Sequence, residues 1–306
     1  MKIGIVGMGW VGSSVALSIL NSGLATELLL DDAKPGLAEG EAMDLAHGAA
    51  FYPSASVRAA SIEEMLDADA VIIAAGRGGG PTESRLDLLR VNAAIVHDIA
   101  KRLSAMQGML VILTNPVDVM TQVAAEASGL PLERVIGTGT MLDTARLREA
   151  LGRTLELEPR SIHAQVVGEH GDSSVVLWSG ARLGGVPLRA RPGWTREKEL
   201  EIADDVRNAA YKIIAKKGST NHAIGLVTAA LLRWSLRKGG RRILTISRVQ
   251  EGAAGIRDVA ISLPTIVGPE GAVEVIEPDM DADEREALHR SAEVLRQAYQ
   301  QARSKP

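Results

Sequence analysis

The amino-acid sequence predicts an α/β protein built on a doubly wound parallel sheet, followed by a second, α+β domain. In the first half of the chain, short and almost continuously apolar runs alternate with segments of helical periodicity. Strands that are apolar on both faces are typical of a parallel sheet covered by helices on both sides. In the second half, two strand-like runs follow each other closely and long helical patterns flank them, which predicts antiparallel pairing.

The predicted strands of the first half are four apolar runs: Lys2–Val6, Glu27–Leu30, Val71–Ala75 and Met109–Thr114. Helices are predicted between and after them, at Gly12–Ser22, Leu37–Ala46, Leu86–Met106 and Val119–Ser128. The second half is expected to contain a strand at Ser161–Val167, helices at Arg196–Lys216 and Asn221–Arg237, antiparallel strands at Arg242–Ser247 and Asp258–Val267, and a charged amphipathic helix at Asp281–Ala302. The pattern changes near residue 142 without a Pro/Gly linker, so we expect two closely packed domains, residues 1–142 and 143–306.

Composition narrows the class of protein. A chain of 306 residues with 46% hydrophobic side chains is long enough to bury a substantial core. Its net charge of −4 and aromatic content of 3% give no general attraction to nucleic acid or to an anionic membrane surface. No apolar run of about 18 residues predicts a membrane span. The absence of cysteine excludes disulfides and thiolate–metal sites, and we expect a cytoplasmic protein.

A glycine-rich turn joins the first predicted strand to the first predicted helix, with Gly7, Gly9 and Gly12 at the spacing of a dinucleotide-binding motif. There the first glycine permits the tight turn, the second lets the backbone approach a pyrophosphate, and the third lets helix and strand pack closely. The next strand ends in Asp31-Asp32, about 20 residues further on, where a carboxylate binds ribose hydroxyls and repels a 2′-phosphate. The turn therefore predicts a Rossmann-type domain that binds NAD. Strand alternation alone does not choose between Asp31 and Asp32, and two acids that merely end a strand are the alternative.

Two further segments carry side chains suited to acid–base chemistry. Asp143 and Arg146 are three residues apart at the start of a predicted helix and so share one face, where the arginine can offer a planar fork to a carboxylate. An ordinary intrahelical ion pair is the alternative. His170 follows a predicted strand in VVGEHGDSS, and histidine is the side chain best suited to exchange a proton at neutral pH. A merely solvated loop histidine is the alternative there.

Together these segments resemble the NAD-dependent lactate/malate dehydrogenase family. The similarity runs nearly from end to end, through GMGWVGSSVA, LLLDDAKPGLAEGEAMDLAHG, SRLDLLRVN, LTNPVDVMT, GTGTMLDTARLR, VVGEHGDSSVVLWS and KKGSTNHAIG, in that order. The resemblance implies an NAD-dependent enzyme that transfers hydride reversibly between the cofactor and a 2-hydroxy or 2-keto acid. It also implies a homo-oligomer, a tetramer or a dimer. A non-catalytic NAD-binding protein is the alternative from another class.

The resemblance also implies roles for particular residues. His170 would exchange a proton with the substrate oxygen, Asp143 would orient its imidazole, and Arg146 would clamp the substrate carboxylate. Arg85 would polarise the substrate carbonyl from a mobile loop, and Asn115 would hydrogen-bond the substrate oxygen while its neighbours line the nicotinamide site. By the same resemblance Asp32 is the ribose carboxylate, and Asp31 stands where an apolar residue is usual.

Substrate choice in this family depends on the loop residue six positions before the catalytic arginine, which is Gly79 here. Glutamine at that position goes with lactate and arginine with malate, so neither hallmark is present. Three features favour the lactate side: GTGT before Leu142-Asp143, GEHGDS followed by LWS, and Thr220 in KKGSTNHAIG. We therefore expect an L-2-hydroxy acid dehydrogenase that accepts lactate or a bulkier, hydroxyisocaproate-like substrate. Malate is the alternative, because Arg77 lies on the same loop and could reach a second carboxylate.

Two remaining expectations concern regulation and metals. Arg148 and His163 stand where allosteric bacterial relatives bind fructose 1,6-bisphosphate across a subunit interface, although the same residues occur in unregulated relatives. No HExxH motif or acid–histidine cluster with metal-ligand spacing is present, so no metal site is predicted.

Overall fold

The computed structural model describes residues 1–78, 84–237 and 240–303. The strands in this part of the chain are β1 (Lys2–Val6), β2 (Glu27–Asp31), β3 (Ser56–Ala59), β4 (Ala70–Ile73), β5 (Met109–Ile112), β6 (Val135–Gly137), β7 (Ile162–His163), β8 (Val166–Val167), β9 (Val175–Val176), β10 (Arg182–Leu183), β11 (Val186–Pro187), β12 (Arg242–Glu251), β13 (Arg257–Gly268) and β14 (Gly271–Val275). The α-helices are α1 (Trp10–Asn21), α2 (Leu37–His47), α3 (Arg85–Arg102), α4 (Val117–Ser128), α5 (Met141–Leu155), α6 (Arg196–Lys217), α7 (His222–Leu236) and α8 (Ala282–Arg303).

A nine-stranded sheet organises these elements, in the order β14-β13-β12-β6-β5-β4-β1-β2-β3. The strands from β1 to β6 pair in parallel, and β12, β13 and β14 pair antiparallel. The two parts are joined where β12 pairs antiparallel with β6, Ser247 opposite Gly137. The predicted α/β, Rossmann-type architecture with an α+β second half is therefore confirmed. The antiparallel strands extend the parallel sheet instead of forming a large separate one.

The order of the parallel strands positions the site. Strand β1 lies between β2 and β4, so the chain proceeds in opposite directions along the sheet on either side of β1. A crevice forms outside the carboxyl ends of the strands at such a switch point, and ligands of doubly wound proteins bind there. The glycine-rich turn after β1 and the segment after β4 both open onto this crevice.

Helices cover both faces of the parallel strands. On one face Ile5 packs in a cluster with Val15 and Ile19 of α1, and all three side chains are fully buried. On the other face Ile73 is in a cluster with Val96 of α3. Burial of one such aliphatic side chain contributes about 1.5–3 kcal/mol, which is why these short strands are apolar on both faces. Within the described residues, no helix combines the length and the apolar character that a membrane crossing requires.

One predicted strand is wrong, because it is two strands. The run Ser161–Val167 forms two short strands, β7 and β8, which pair with different partners, β10 and β9 respectively. Two residues, Ala164 and Gln165, separate these strands, and Gly168, directly after β8, forms a bridge with Ser262 of β13 in the main sheet. Helix α3 also ends at Arg102, earlier than the predicted Met106. The other predicted helices and strands have observed counterparts whose bounds differ by a few residues.

Candidate active site

The glycine-rich turn has the geometry that its sequence predicts. Gly7 has a φ of +101°, and a Cβ there would lie 2.4 Å from the backbone nitrogen of Ala75. A Cβ at Gly12 would lie 1.9 Å from the carbonyl oxygen of Gly7, so only glycine allows α1 to pack this closely. A Cβ at Gly9, by contrast, would meet nothing within 4 Å. Gly9 thus leaves the backbone accessible at the N-terminus of α1, where free N–H groups favour a phosphate.

Asp32 is tied to this turn by its side chain. One carboxylate oxygen accepts a hydrogen bond of 2.7 Å from the backbone N–H of Met8, and the other accepts one of 2.8 Å from the backbone N–H of Lys34. Asp31 ends β2 beside it. Both acids line a cavity of about 830 Å³ together with Gly9. A turn that admits pyrophosphate, a carboxylate for ribose and an adjoining cavity fit NAD.

The second constellation centres on Asp143 in the first turn of α5. This side chain is buried, and both of its oxygens are engaged. Oδ2 lies 2.5 Å from Nδ1 of His170, and Oδ1 accepts a hydrogen bond of 2.9 Å from Nη1 of Arg146. The predicted shared face of Asp143 and Arg146 is therefore observed, and the chain brings His170 to the same carboxylate. Because Nδ1 is held by Asp143, Nε2 is the imidazole nitrogen placed to exchange a proton.

Burial and charge act in opposite directions on this pair. Burial lowers the pKa of His170, but the Asp143 carboxylate, with a smaller contribution from the charge of Asp118, outweighs burial and raises the pKa above its ordinary value. Burial raises the pKa of Asp143, while His170 and Arg146 outweigh it and hold the carboxyl below its usual range. The charged imidazolium is thus stabilised in a site that would otherwise disfavour it.

Asp118, near the start of α4, also contacts this histidine, and sequence reasoning did not find it. It is 2% exposed, and its Oδ2 accepts a hydrogen bond of 2.8 Å from the backbone N–H of His170. Burial raises the pKa of Asp118 to about 6, against the Ser247 hydroxyl and the His170 N–H, which lower it. An acid among apolar residues inside the NPVDV segment is the one signal that could have drawn attention to it.

Asn92 of α3 is another residue that sequence reasoning missed. Its side-chain oxygen accepts a hydrogen bond of 2.8 Å from the backbone N–H of Arg77, and its side-chain nitrogen donates one of 3.0 Å to the carbonyl oxygen of Asn115. Because this side chain is buried, it fixes the chain segments after β4 and β5 relative to each other. Both segments border the cleft beside His170.

Four of the predicted catalytic and substrate-binding residues line that cleft. Asn115, Arg146, His170 and Thr220 all line it, together with Arg77. The rest of its wall is mostly apolar and includes Leu88, Leu142, Ala210, Ile214 and Ile224. Gly79 lies outside the described residues. Arg85 begins α3, but its side chain also lies outside the described part of the chain.

The two residues of the expected effector site lie away from this cleft. Arg148 of α5 donates a hydrogen bond of 3.0 Å from Nε to the carbonyl oxygen of Ala164, the residue after His163. His163 is exposed, whereas Arg148 is half-buried and borders a separate cavity with Arg160 and Gln165. Burial lowers the pKa of Arg148, and the nearby charge of Arg242 acts in the same direction.

The fold and these side chains define a class: a nicotinamide-dependent dehydrogenase that pairs a dinucleotide crevice with a carboxylate-supported histidine. Comparison with known proteins identifies the family. A family model for the "lactate/malate dehydrogenase, NAD binding domain" matches residues 1–137, and one for the "lactate/malate dehydrogenase, alpha/beta C-terminal domain" matches residues 140–305. The chain therefore belongs to the lactate/malate dehydrogenase family, and it is an NAD-dependent oxidoreductase that acts on CH–OH groups.

Individual relatives point to the same family. The chain is 44% identical to the L-lactate dehydrogenase of Thermus aquaticus over 305 residues, which cover 97% of this chain and 98% of the relative. It is 43% identical to the L-lactate dehydrogenase of Geobacillus kaustophilus, with 96% and 95% covered. Among solved structures, the minor L-lactate dehydrogenase of Enterococcus mundtii has a TM-score of 0.95 at 37% identity and 99% coverage of both chains. The expected dehydrogenase activity and NAD cofactor are confirmed.

Proposed function

We propose that the chain is an L-2-hydroxy acid dehydrogenase whose substrate carries an apolar side chain, either the methyl group of lactate or a bulkier, hydroxyisocaproate-like group. The observation that carries this proposal is the apolar part of the wall of the cleft that Arg146 and His170 also line. Leu88, Ala210 and Ile214 present apolar surface there. Such a wall favours a hydrocarbon side chain over a charged one, because a buried carboxylate without a partner is costly. The names of the relatives, L-lactate dehydrogenases, support the same class of substrate.

In this proposal Arg146 holds the substrate carboxylate. Its Nη1 already donates to Asp143, so the side chain is fixed, and the remaining N–H groups can make parallel hydrogen bonds to two carboxylate oxygens. The fork orients the substrate with its reacting carbon beside His170, which shares the cleft. Asn115, exposed at the same edge, donates to the substrate oxygen. Arg85 is assigned the polarisation of the carbonyl.

Proton transfer is assigned to Nε2 of His170. In the direction of keto acid reduction the imidazolium donates its proton to the substrate oxygen as that oxygen gains negative charge. Asp143 holds Nδ1 and stabilises the charged ring, and the raised pKa keeps more of the histidine protonated near neutral pH. In the direction of alcohol oxidation the neutral ring accepts the proton instead. Asp143 keeps the same hydrogen bond in both directions.

The cofactor site is assigned to the crevice between β1, β2 and β4. The bound nicotinamide supplies or accepts the hydride. Gly9 and the N-terminus of α1 are assigned to the pyrophosphate, and Asp32 to the adenosine ribose, since Gly9 has open space at its Cβ position and both residues line the cavity there. Gly7 and Gly12 act by permitting the turn and the close packing of α1.

Malate is the second candidate substrate, and Arg77 is the observation that favours it. Arg77 lines the cleft with Arg146 and His170, so a cationic residue borders the place where a second carboxylate would lie. NADH oxidation with pyruvate, 2-ketoisocaproate, phenylpyruvate and oxaloacetate decides between the candidates. We expect an apolar keto acid to give the highest kcat/KM. If oxaloacetate exceeds every apolar keto acid by about tenfold, and Arg77→Gln removes that advantage while the exposed Arg153→Gln does not, the enzyme is a malate dehydrogenase.

We also propose a homo-oligomer, a tetramer or a dimer. Three helices expose large apolar side chains to solvent. The exposed fraction is 62% for Met43 of α2, 59% for Leu200 of α6 and 68% for Leu226 of α7. Association would cover them. Arg148 and His163 are the proposed contacts for a sugar bisphosphate between subunits. Light scattering tests the oligomer, and a monomeric mass contradicts it. Light scattering and initial rates measured with fructose 1,6-bisphosphate test the effector site, and unchanged mass together with unchanged kinetics contradicts it.

A further inference from the structure

Asp31 is a charged residue that lines the proposed cofactor cavity, at the position where the resemblance to the family implies an apolar residue. It is the last residue of β2, and the alternation of the strand places its side chain on the same face as Leu29. Leu29 belongs to the apolar cluster that packs against α3. Asp31 therefore points toward α3, and it lines the cavity that Gly9 and Asp32 also line.

The two adjacent carboxylates differ in their hydrogen bonds. Both oxygens of Asp32 accept backbone hydrogen bonds, from Met8 and Lys34. In the part of the chain that the structure describes, the carboxylate of Asp31 has no hydrogen bond or ion pair. Burial raises its pKa, the charge of Arg102 opposes that effect, and the neighbouring Asp32 adds to it. Asp31 is thus a half-buried acid that makes no direct pair with any side chain among the described residues.

A cation of α3 that acts on Asp31, Arg102, already pairs with another carboxylate. Arg102 lines the same cavity, and its Nε and Nη2 donate to the two oxygens of Glu63 at 2.8 and 3.0 Å. This bidentate pairing with Glu63 leaves the charge of Asp31 directed at the cavity. Lys34 at the rim is a second cation. Without Asp31, these two cations would make the adenosine end of the cavity more attractive to a phosphate group.

We propose that Asp31 is a second cofactor-selecting carboxylate, which together with Asp32 excludes the 2′-phosphate of NADP from the adenosine end of the cavity. The inference rests on the proposed placement of NAD between the glycine-rich turn and Asp32. A phosphate monoester carries a charge of about −1.5 to −2 at neutral pH, whereas the 2′-hydroxyl of NAD carries none. A carboxylate in this cavity therefore penalises one cofactor and leaves the other almost unaffected.

The two acids contribute through different physical effects. Asp32 is fixed by the turn and is suited to hydrogen-bond ribose hydroxyls, so its loss should weaken binding of both cofactors. Asp31 has no such fixed partner and acts through its charge. For unit charges several Å apart at a partly screened site, removal of one carboxylate should improve binding of the phosphorylated cofactor about fivefold to tenfold.

Equilibrium binding of NADH and NADPH, followed by the fluorescence of the reduced nicotinamide, tests this without turnover. Asp31→Asn keeps the shape and removes the charge, and Asp31→Leu replaces the acid by an apolar side chain. Asp98→Asn is the matched control, since it removes one charge from an exposed residue that lines the same cavity. We expect both Asp31 variants to lower the Kd for NADPH about fivefold to tenfold, with the Kd for NADH within about twofold.

Three results would overturn or redirect the inference. If Asp98→Asn lowers the Kd for NADPH as much as Asp31→Asn does, the effect is general charge and Asp31 has no special role. If both Asp31 variants weaken NADH and NADPH equally, or lower the melting temperature without changing selectivity, the residue is structural. An Asp32→Asn variant with unchanged NADH binding would instead refute the placement of NAD, which separates failure of the proposed function from failure of this inference.

Discussion

Replacement of Asp143 by asparagine is the perturbation that bears most directly on the chemistry of the site. The side chain is almost completely buried, and it holds His170 Nδ1 through one oxygen and Arg146 through the other. Asparagine has nearly the same shape, so the substitution removes the charge with little change in volume. The burial that lowers the pKa of His170 then acts without the carboxylate that outweighs it, and the pKa falls.

The expected loss of activity can be worked out from the charge pair of His170 and Asp143. Opposite unit charges about 4 Å apart attract by about 4 kcal/mol at an effective dielectric constant near 20. Arg146 already offsets part of the charge on Asp143, so we expect the imidazolium to lose about 3 kcal/mol of stabilisation. At about 1.4 kcal/mol for each tenfold change in rate, kcat/KM for keto acid reduction should fall by about 10²-fold. NADH binding should be retained, because Asp143 does not line the cofactor cavity.

The assay is the pH dependence of kcat/KM for keto acid reduction. Reduction requires protonated His170, so activity is lost as the pH rises through the pKa, and that loss should occur at lower pH in Asp143→Asn. Glu149→Gln is the matched control, an exposed acid on the same helix that pairs with exposed Arg153. A variant with nearly normal kcat/KM and an unshifted profile would refute the role given to Asp143.

Three further outcomes are expected. Arg146→Lys should reduce kcat/KM about 10²-fold or more across all keto acids, since a point charge replaces a fork, and similar values for both proteins would exclude the clamp. Gly12→Ala should lower the melting temperature because its Cβ would lie 1.9 Å from a carbonyl oxygen, whereas Gly9→Ala should fold normally and raise the Kd for NADH. For Asp118→Asn we compare the free energy of unfolding in urea with that of the natural protein. As the pH rises from 4 to 7, the difference should grow in favour of the variant by about 3 kcal/mol. The reason is that the raised pKa, about 6 against 3.8, makes ionisation of the buried carboxyl destabilising as the pH rises through that window.

Much of the fold could be predicted because its signals are local. Strands such as Lys2–Val6 are apolar on both faces, and Gly7, Gly9 and Gly12 mark the turn that follows. The strands that were missed lack this signal. Strand β3, Ser56–Ala59, is a partly polar edge strand, and β6, Val135–Gly137, has only three residues. Tertiary pairing defines both.

The site was predictable to the extent that its residues are close in sequence or carry a family motif. Helical spacing placed Asp143 and Arg146 on one face, but nothing local indicates that His170, 27 residues away, contacts the same carboxylate. The resemblance supplied that link. Asp118 was missed because its partner is a backbone N–H 52 residues away, and a contact of that kind leaves no pattern around the acid itself.

Measurement of kcat/KM in both directions over a range of pH, on one preparation, tests the central claim most directly. If His170 carries the proton, the activity in keto acid reduction declines and that in hydroxy acid oxidation rises around the same pKa. That pKa should lie above the ordinary histidine value of 6.5, because Asp143 raises it. Two different pKa values, a common value at or below 6.5, or a profile that persists in His170→Gln would contradict the account.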